Sequence, residues 1–169
     1  SSPTEDPFGW FGHQEVKDIM SALFGNVGWG TNQDGLEINV GIYFNDKSGH
    51  YGFFIAGRDV HDQPGSNVPK FIKANFNFIL VHNHNERYAN GGTVGSQPSD
   101  IRNAIGGSEG DAGVSLTKHV PVYTVSRKGV FAVSSQINRD NGNTNINFYK
   151  LAGANWYDES LKNLNSLPL

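Results

Sequence analysis

The chain has 169 residues, enough for one domain with a buried core. Hydrophobic residues make up 37% and charged residues 17%, and the formal net charge is −3 without any cluster of lysine and arginine. This composition excludes a disordered chain and argues against a surface built to bind nucleic-acid phosphates, although a local basic patch would still allow a nuclease. Cysteine is absent, so disulfides and thiolate ligands are excluded and any metal must use His, Asp, Glu or water.

The first half of the chain begins with a segment rich in proline, glycine and aromatic residues. We expect residues 1–12 to form a linker or entry segment and residues 13–169 to form a single domain. Residues 13–24 carry apolar side chains at helical spacing, and Gly25 is expected to end that helix. Residues 36–44 and 50–56 then predict two strands of a hairpin that turns at 45–49.

The second half alternates strands with short helices. Helices are predicted over 68–74 and 98–105, with a closing helix over 156–164. The predicted strands are a central strand over 76–81, a hairpin of strands 120–126 and 130–134, and a strand over 146–151. A loop is predicted over 85–97, and a flexible loop in which Asp111 is solvated is predicted over 107–113. This order predicts an α+β fold with a mixed central sheet of hairpins flanked by helices. No apolar run reaches the ~18 residues of a membrane span.

An apolar run that ends in His82-Asn83-His84 carries the strongest functional signal. Side chains alternate along a strand, so both imidazoles would project from the same face at its end. Asp100 follows at the predicted start of a helix. Two imidazoles and one carboxylate form a three-ligand zinc set that leaves one position for water, which is typical of a catalytic site. The alternative is a histidine pair that only closes the strand end.

Glu37 opens the first strand of the predicted hairpin. Ile38, Val40 and Ile42 lie on one face of that strand, so Glu37 shares the opposite face with Asn39 and Gly41. That face is either exposed to solvent or forms the floor of a polar cleft.

These motifs, taken in order, resemble the JAB/JAMM (MPN) metalloproteases. The closer resemblance is to JAB-like domains at the C-termini of bacterial polymorphic toxins, and it covers somewhat over half the chain. The matching pieces are Glu37 with Gly41-Ile42-Tyr43, Val81-His82-Asn83-His84, Gln97-Pro98-Ser99-Asp100-Ile101 and Pro121-Val122-Tyr123-Thr124-Val125. Asn85 stands where the family usually has proline, and Gln97 stands in the serine position of its Ser-x-x-Asp segment.

The resemblance implies a JAB/deaminase-like α-β-α sandwich and a specific set of roles. His82, His84 and Asp100 would hold Zn²⁺, and Glu37 would act as general base and then acid. Ser96, Gln97 or, as the third choice, Ser99 would donate a hydrogen bond to the developing oxyanion. The implied reaction is hydrolysis of a peptide or isopeptide bond in a protein or peptide substrate.

A second, shorter resemblance lies near the N-terminus. Asp6-Pro7-Phe8-Gly9-Trp10 is similar to the Asp-Pro-x-Gly-Leu signature that precedes the released toxin of Rhs-type proteins. It implies a domain that is secreted or delivered into a target cell as a processed fragment, with a cognate immunity protein. Two alternatives stay open: a metal-dependent nuclease toxin that uses the same histidine pair, and a non-catalytic JAB-like module that binds a partner.

Overall fold

The computed structural model describes residues 8–26, 37–59, 65–83, 110–126, 129–153 and 156. Within them a 3-10 turn at Gly9–Gly12 precedes the regular elements. These are α1 (Gln14–Asn26), β1 (Glu37–Asn45), β2 (His50–Asp59), α2 (Lys70–Asn75), β3 (Asn77–Asn83), α3 (Gly110–Lys118), β4 (Val122–Ser126), β5 (Gly129–Ile137) and β6 (Thr144–Ala152).

The six strands form one mixed sheet in the order β2-β1-β3-β4-β5-β6. Strands β3 and β4 pair in parallel, and the other neighbouring strands of the described sheet pair antiparallel. The predicted α+β class with a mixed sheet of hairpins and flanking helices is therefore confirmed. The central strand β3 is buried from Ile79 to Asn83, because β1 and β4 flank it and side chains cover both of its faces.

Alternation along the strands divides the core into two layers on opposite faces of the sheet. The first layer joins the buried face of α1 to the sheet and contains Trp10, Phe11, Val16, Met20, Ile38, Val40, Ile42, Ile79, Val81, Tyr123, Val125, Val130 and Ala132. The second layer contains Ala56, Leu80, Val122 and Val133, with Val114 of α3 packed against it. Helices α1 and α3 thus lie on opposite faces, and the α3 face also carries the polar residues of the site.

Two expected boundaries are wrong. Gly25 does not end the first helix, which continues to Asn26. The stretch 107–113 was expected to be a flexible loop, but α3 begins inside it at Gly110. The predicted helix over 98–105 lies outside the described residues, as does the predicted closing helix apart from Trp156. In the 1–12 segment, Trp10 and Phe11 are buried in the α1 layer, so its described part packs onto the domain core.

No helix among the described residues is long and apolar enough to cross a membrane.

A close backbone approach next to β2 yields a stability prediction. A Cβ built on Gly57 would lie 2.3 Å from the carbonyl oxygen of Gly65. The contact is with backbone, which cannot change rotamer to relieve the clash as a side chain could. Gly57→Ala should therefore destabilise the fold by about 1–3 kcal/mol. Gly12→Ala is the matched control, because a Cβ there meets nothing within 4 Å. Urea unfolding of both variants measures the difference in stability. Equal unfolding midpoints for the two variants would show that the 65–69 segment moves away from the added methyl group at no cost.

Candidate functional site

The site lies at the C-terminal end of β3, on the sheet face that α3 covers. In the sheet register, His82 stands opposite Asn39 of β1 on one side and Thr124 of β4 on the other. The three side chains therefore form a row on one face. His82 is 8% exposed, and it follows the apolar run 78–81 of β3.

Asp111, in the first turn of α3, contacts two residues of this row from the helix that covers the sheet. Its Oδ1 lies 3.1 Å from Nε2 of His82. Its Oδ2 accepts a 2.8 Å hydrogen bond from the hydroxyl of Thr124. One carboxylate thus bridges the ends of β3 and β4, and the helix N-terminus stabilises its negative charge. The expectation that Asp111 is solvated is wrong, because its side chain is largely buried.

The electrostatics of His82 reflect two opposed effects. Burial alone lowers the pKa of His82, since a buried imidazolium loses its hydration. The charge and hydrogen bond of Asp111 raise the pKa, the negative charge of Glu37 adds to them, and the net pKa lies above its ordinary value. Glu37 therefore acts on the same imidazole as Asp111.

Glu37 is held at the site by the end of the β1–β3 pairing. The side chain of Asn83 extends this pairing, because its Oδ1 accepts a 2.8 Å hydrogen bond from the backbone N–H of Ile38. Glu37 is only 3% exposed and lies on the same strand face as Asn39. Of the two interpretations open from the sequence, the solvent-exposed strand face is excluded, and the burial of Glu37 is compatible with the floor of a polar cleft.

Asn39 has an oriented amide next to His82. Its Nδ2 donates hydrogen bonds to the carbonyl of Gly65, at 3.1 Å, and to the hydroxyl of Ser66, at 2.8 Å. These bonds fix which way the amide points. Its Oδ1 is buried and has no hydrogen-bond partner in the described part of the chain. A buried acceptor normally has a hydrogen-bond partner, so Oδ1 of Asn39 is an unused acceptor at this row.

The structure brings together two of the predicted site residues, Glu37 and His82. The others, His84, Ser96, Gln97, Ser99 and Asp100, lie outside the described residues, and their roles stay predictions. Sequence reasoning missed Asp111. A signal was present, since Ser108-Glu109-Gly110-Asp111 has the Ser-x-x-Asp spacing of the resemblance with serine in its expected position.

The donor chemistry fits a zinc ion. An imidazole and a carboxylate are both zinc ligands. The 3.1 Å between Nε2 of His82 and Oδ1 of Asp111 is a hydrogen-bond distance, and a bound metal would have to replace that hydrogen bond. No group of three His, Asp or Glu side chains converges among the described residues, so a complete set requires His84 or another residue beyond them.

Comparison of the chain with protein-family models, with curated proteins and with solved structures finds no match.

The contact between His82 and Asp111 predicts how the metal-free protein responds to pH. Because the folded pKa of His82 is raised, its contribution to stability is full below about pH 6.5 and is lost as pH rises through the folded pKa. Asp111→Asn should lower the pKa of His82, since burial is then opposed only by the weaker effect of Glu37. NMR titration of the imidazole measures this shift, with Asp18→Asn on α1 as the control. An unchanged pKa of His82 in Asp111→Asn would contradict the described pairing.

Proposed function

We propose that this chain is a zinc-dependent hydrolase that cleaves a peptide or isopeptide bond. One observation carries the proposal: a buried imidazole is paired with a largely buried carboxylate near the buried Glu37, at the end of the central strand. Burying an ionisable cluster is costly, and a sheet end could be closed more cheaply with apolar side chains. Ionisable groups with perturbed pKa values collect at functional sites for this reason.

The metal ligands in this proposal are His82, His84 and one carboxylate. The sequence resemblance implies Asp100 for the carboxylate. The position of Asp111 beside His82 supports Asp111 instead, and its own Ser-x-x-Asp spacing supports the same assignment. Thr124 would then hold the carboxylate from behind, as residues around a metal site usually orient its ligands.

Glu37 is the proposed proton carrier. When bound, zinc would polarise the scissile carbonyl and make a water nucleophilic near neutral pH. Glu37 would take the proton of the attacking water and pass it to the leaving amine. Its burial keeps the carboxylate out of bulk water. Ser96 or Gln97 would donate a hydrogen bond to the oxyanion, a contribution of typically ~10²–10³ in rate.

The cellular setting rests on the resemblances alone. A JAB/deaminase-like sandwich is compatible with a mixed sheet that carries α1 and α3 on opposite faces. The Asp6-Pro7-Phe8-Gly9-Trp10 segment supports a toxin or effector domain, secreted or delivered as a fragment of a larger protein. Its partners would be a protein or peptide substrate and a cognate immunity protein.

Metal analysis of purified protein tests the ligand set. Wild-type protein should contain one zinc per chain, and His82→Ala should lose it. If Asp111 is the ligand, Asp111→Asn should lose zinc and Asp100→Asn should keep it. The reverse result would show that Asp100 is the carboxylate ligand, as the sequence resemblance implies. Glu15→Gln, on α1, is a control that should keep its zinc. A wild-type chain that takes up no zinc when refolded with the metal would remove the hydrolase proposal and favour a non-catalytic binding module.

The role of Glu37 requires a separate measurement. Glu37→Gln should keep its zinc, because Glu37 is not a proposed ligand, yet lower activity about 10²–10⁴-fold. Growth inhibition by the chain expressed in bacteria provides a readout that needs no known substrate, and zinc content is determined on the same variant. Full toxicity in Glu37→Gln, or loss of zinc from it, would refute the assigned role.

A further inference from the structure

A gap in the sheet lies at the opposite end of β3 from His82. Strand β4 begins at Val122, which pairs with Leu80 of β3 and Val133 of β5. Strand β3 starts three residues before Leu80, and β5 continues to Ile137, so no β4 backbone fills the space between them there. This space, the sheet notch, is a cavity of about 600 Å³.

The sheet notch is basic on an acidic protein. Lys73 at the end of α2, Lys118 at the end of α3 and His119 directly after it line the cavity. No aspartate or glutamate is among its described lining residues, whereas the whole chain carries a net charge of −3. His119 has a φ of 58°, a left-handed conformation that non-glycine residues seldom adopt. The lining therefore favours a negatively charged occupant.

A buried hydroxyl in the lining lacks a partner. Ser135 is 4% exposed, lines the cavity, and its Oγ has no hydrogen-bond partner in the described structure. The nearby hydroxyl of Ser115 is already used, because it donates to the carbonyl of Val120 at 2.7 Å and accepts the N–H of Ser135 at 3.0 Å. A buried hydroxyl without a partner is costly, and rotation of the Ser135 side chain toward the cavity would give it a hydrogen bond to an occupant.

The remaining wall is apolar and aromatic. Trp10 borders the notch from the α1 side, and Phe76 and Phe78 border it where the chain enters β3. Ligand sites commonly combine such an apolar lining with a few placed polar groups. Cations, one buried hydroxyl and aromatic rings together suit a ligand with an anionic head and an apolar body.

We propose that the sheet notch binds a small organic anion. Its carboxylate or phosphate head binds the lysine and serine side chains, and its aromatic or aliphatic body packs on Trp10, Phe76 and Phe78. The notch and His82 sit at opposite ends of β3, about 13 Å apart along the strand. This site is therefore separate from the proposed zinc site and does not depend on the proposed function.

Binding of phenylphosphonate to the full-length, ¹⁵N-labelled chain tests the proposal by NMR titration. This probe carries an aromatic ring and a doubly charged head, and it has no ester bond to hydrolyse. Saturable shifts are expected at the amides of 118–120 and 134–136, with the amides of 82–83 unchanged. Lys118→Gln should weaken binding about tenfold through loss of a charge-assisted contact. Ser135→Ala should weaken it severalfold, and Lys47→Gln in the β1–β2 turn should leave it unchanged.

A neutral probe and a probe that has only the charged headgroup can each contradict the proposal. Benzyl alcohol binding as tightly as phenylphosphonate would show that the cations contribute nothing, and inorganic phosphate binding as tightly would show that the rings contribute nothing. Either result overturns the assignment. So does the absence of saturable shifts, or wild-type affinity in a Lys73→Gln/Lys118→Gln double variant whose amide spectrum shows an intact fold.

Discussion

The contact between His82 and Asp111 is the interaction on which the site depends. The imidazole comes from the end of β3 and the carboxylate from the start of α3, so the contact holds only when helix and sheet are docked. Both groups are nearly buried, and either alone would pay a desolvation cost of several kcal/mol. Each therefore requires the other, and Thr124 fixes the second carboxylate oxygen. This mutual requirement sets where the first turn of α3 lies over the sheet.

The strands could be predicted from the sequence because their side-chain pattern is strict. Ile38, Val40 and Ile42 alternate with smaller or polar residues, which assigned the two faces of β1 correctly and left Glu37 and Asn39 together. The unbroken apolar run of β3 likewise indicated a strand covered on both faces. What the pattern could not decide was whether the polar face of β1 meets water, since that depends on a helix distant in sequence.

Helix α3 was not predicted from the sequence, and the reason is physical. Gly110 and Gly113 are poor helix formers, and the segment Gly110–Lys118 has few apolar residues to mark a buried stripe. Tertiary contacts compensate: Val114 packs on the sheet, and Ser115 hydrogen-bonds to Val120 and Ser135. Asp111 was therefore hidden in what looked like a glycine-rich loop. The remaining predicted ligands, His84 and Asp100, lie outside the described residues, and the sequence alone supports their assignment.

The single parallel pairing in the described sheet has a consequence for how the protein folds. Strand β1 pairs antiparallel with β2 and β3 in one half of the sheet, and β5 pairs antiparallel with β4 and β6 in the other half. The β1–β3 and β3–β4 pairings are both non-local, since Val40 pairs with Val81 and Val81 pairs with Tyr123, and non-local pairings form slowly. Glu37, Asn39 and His82 belong to the first half, and Asp111 and Thr124 act from the second. Neither half holds all of the described site residues, so the site is assembled only when β3 pairs with β4.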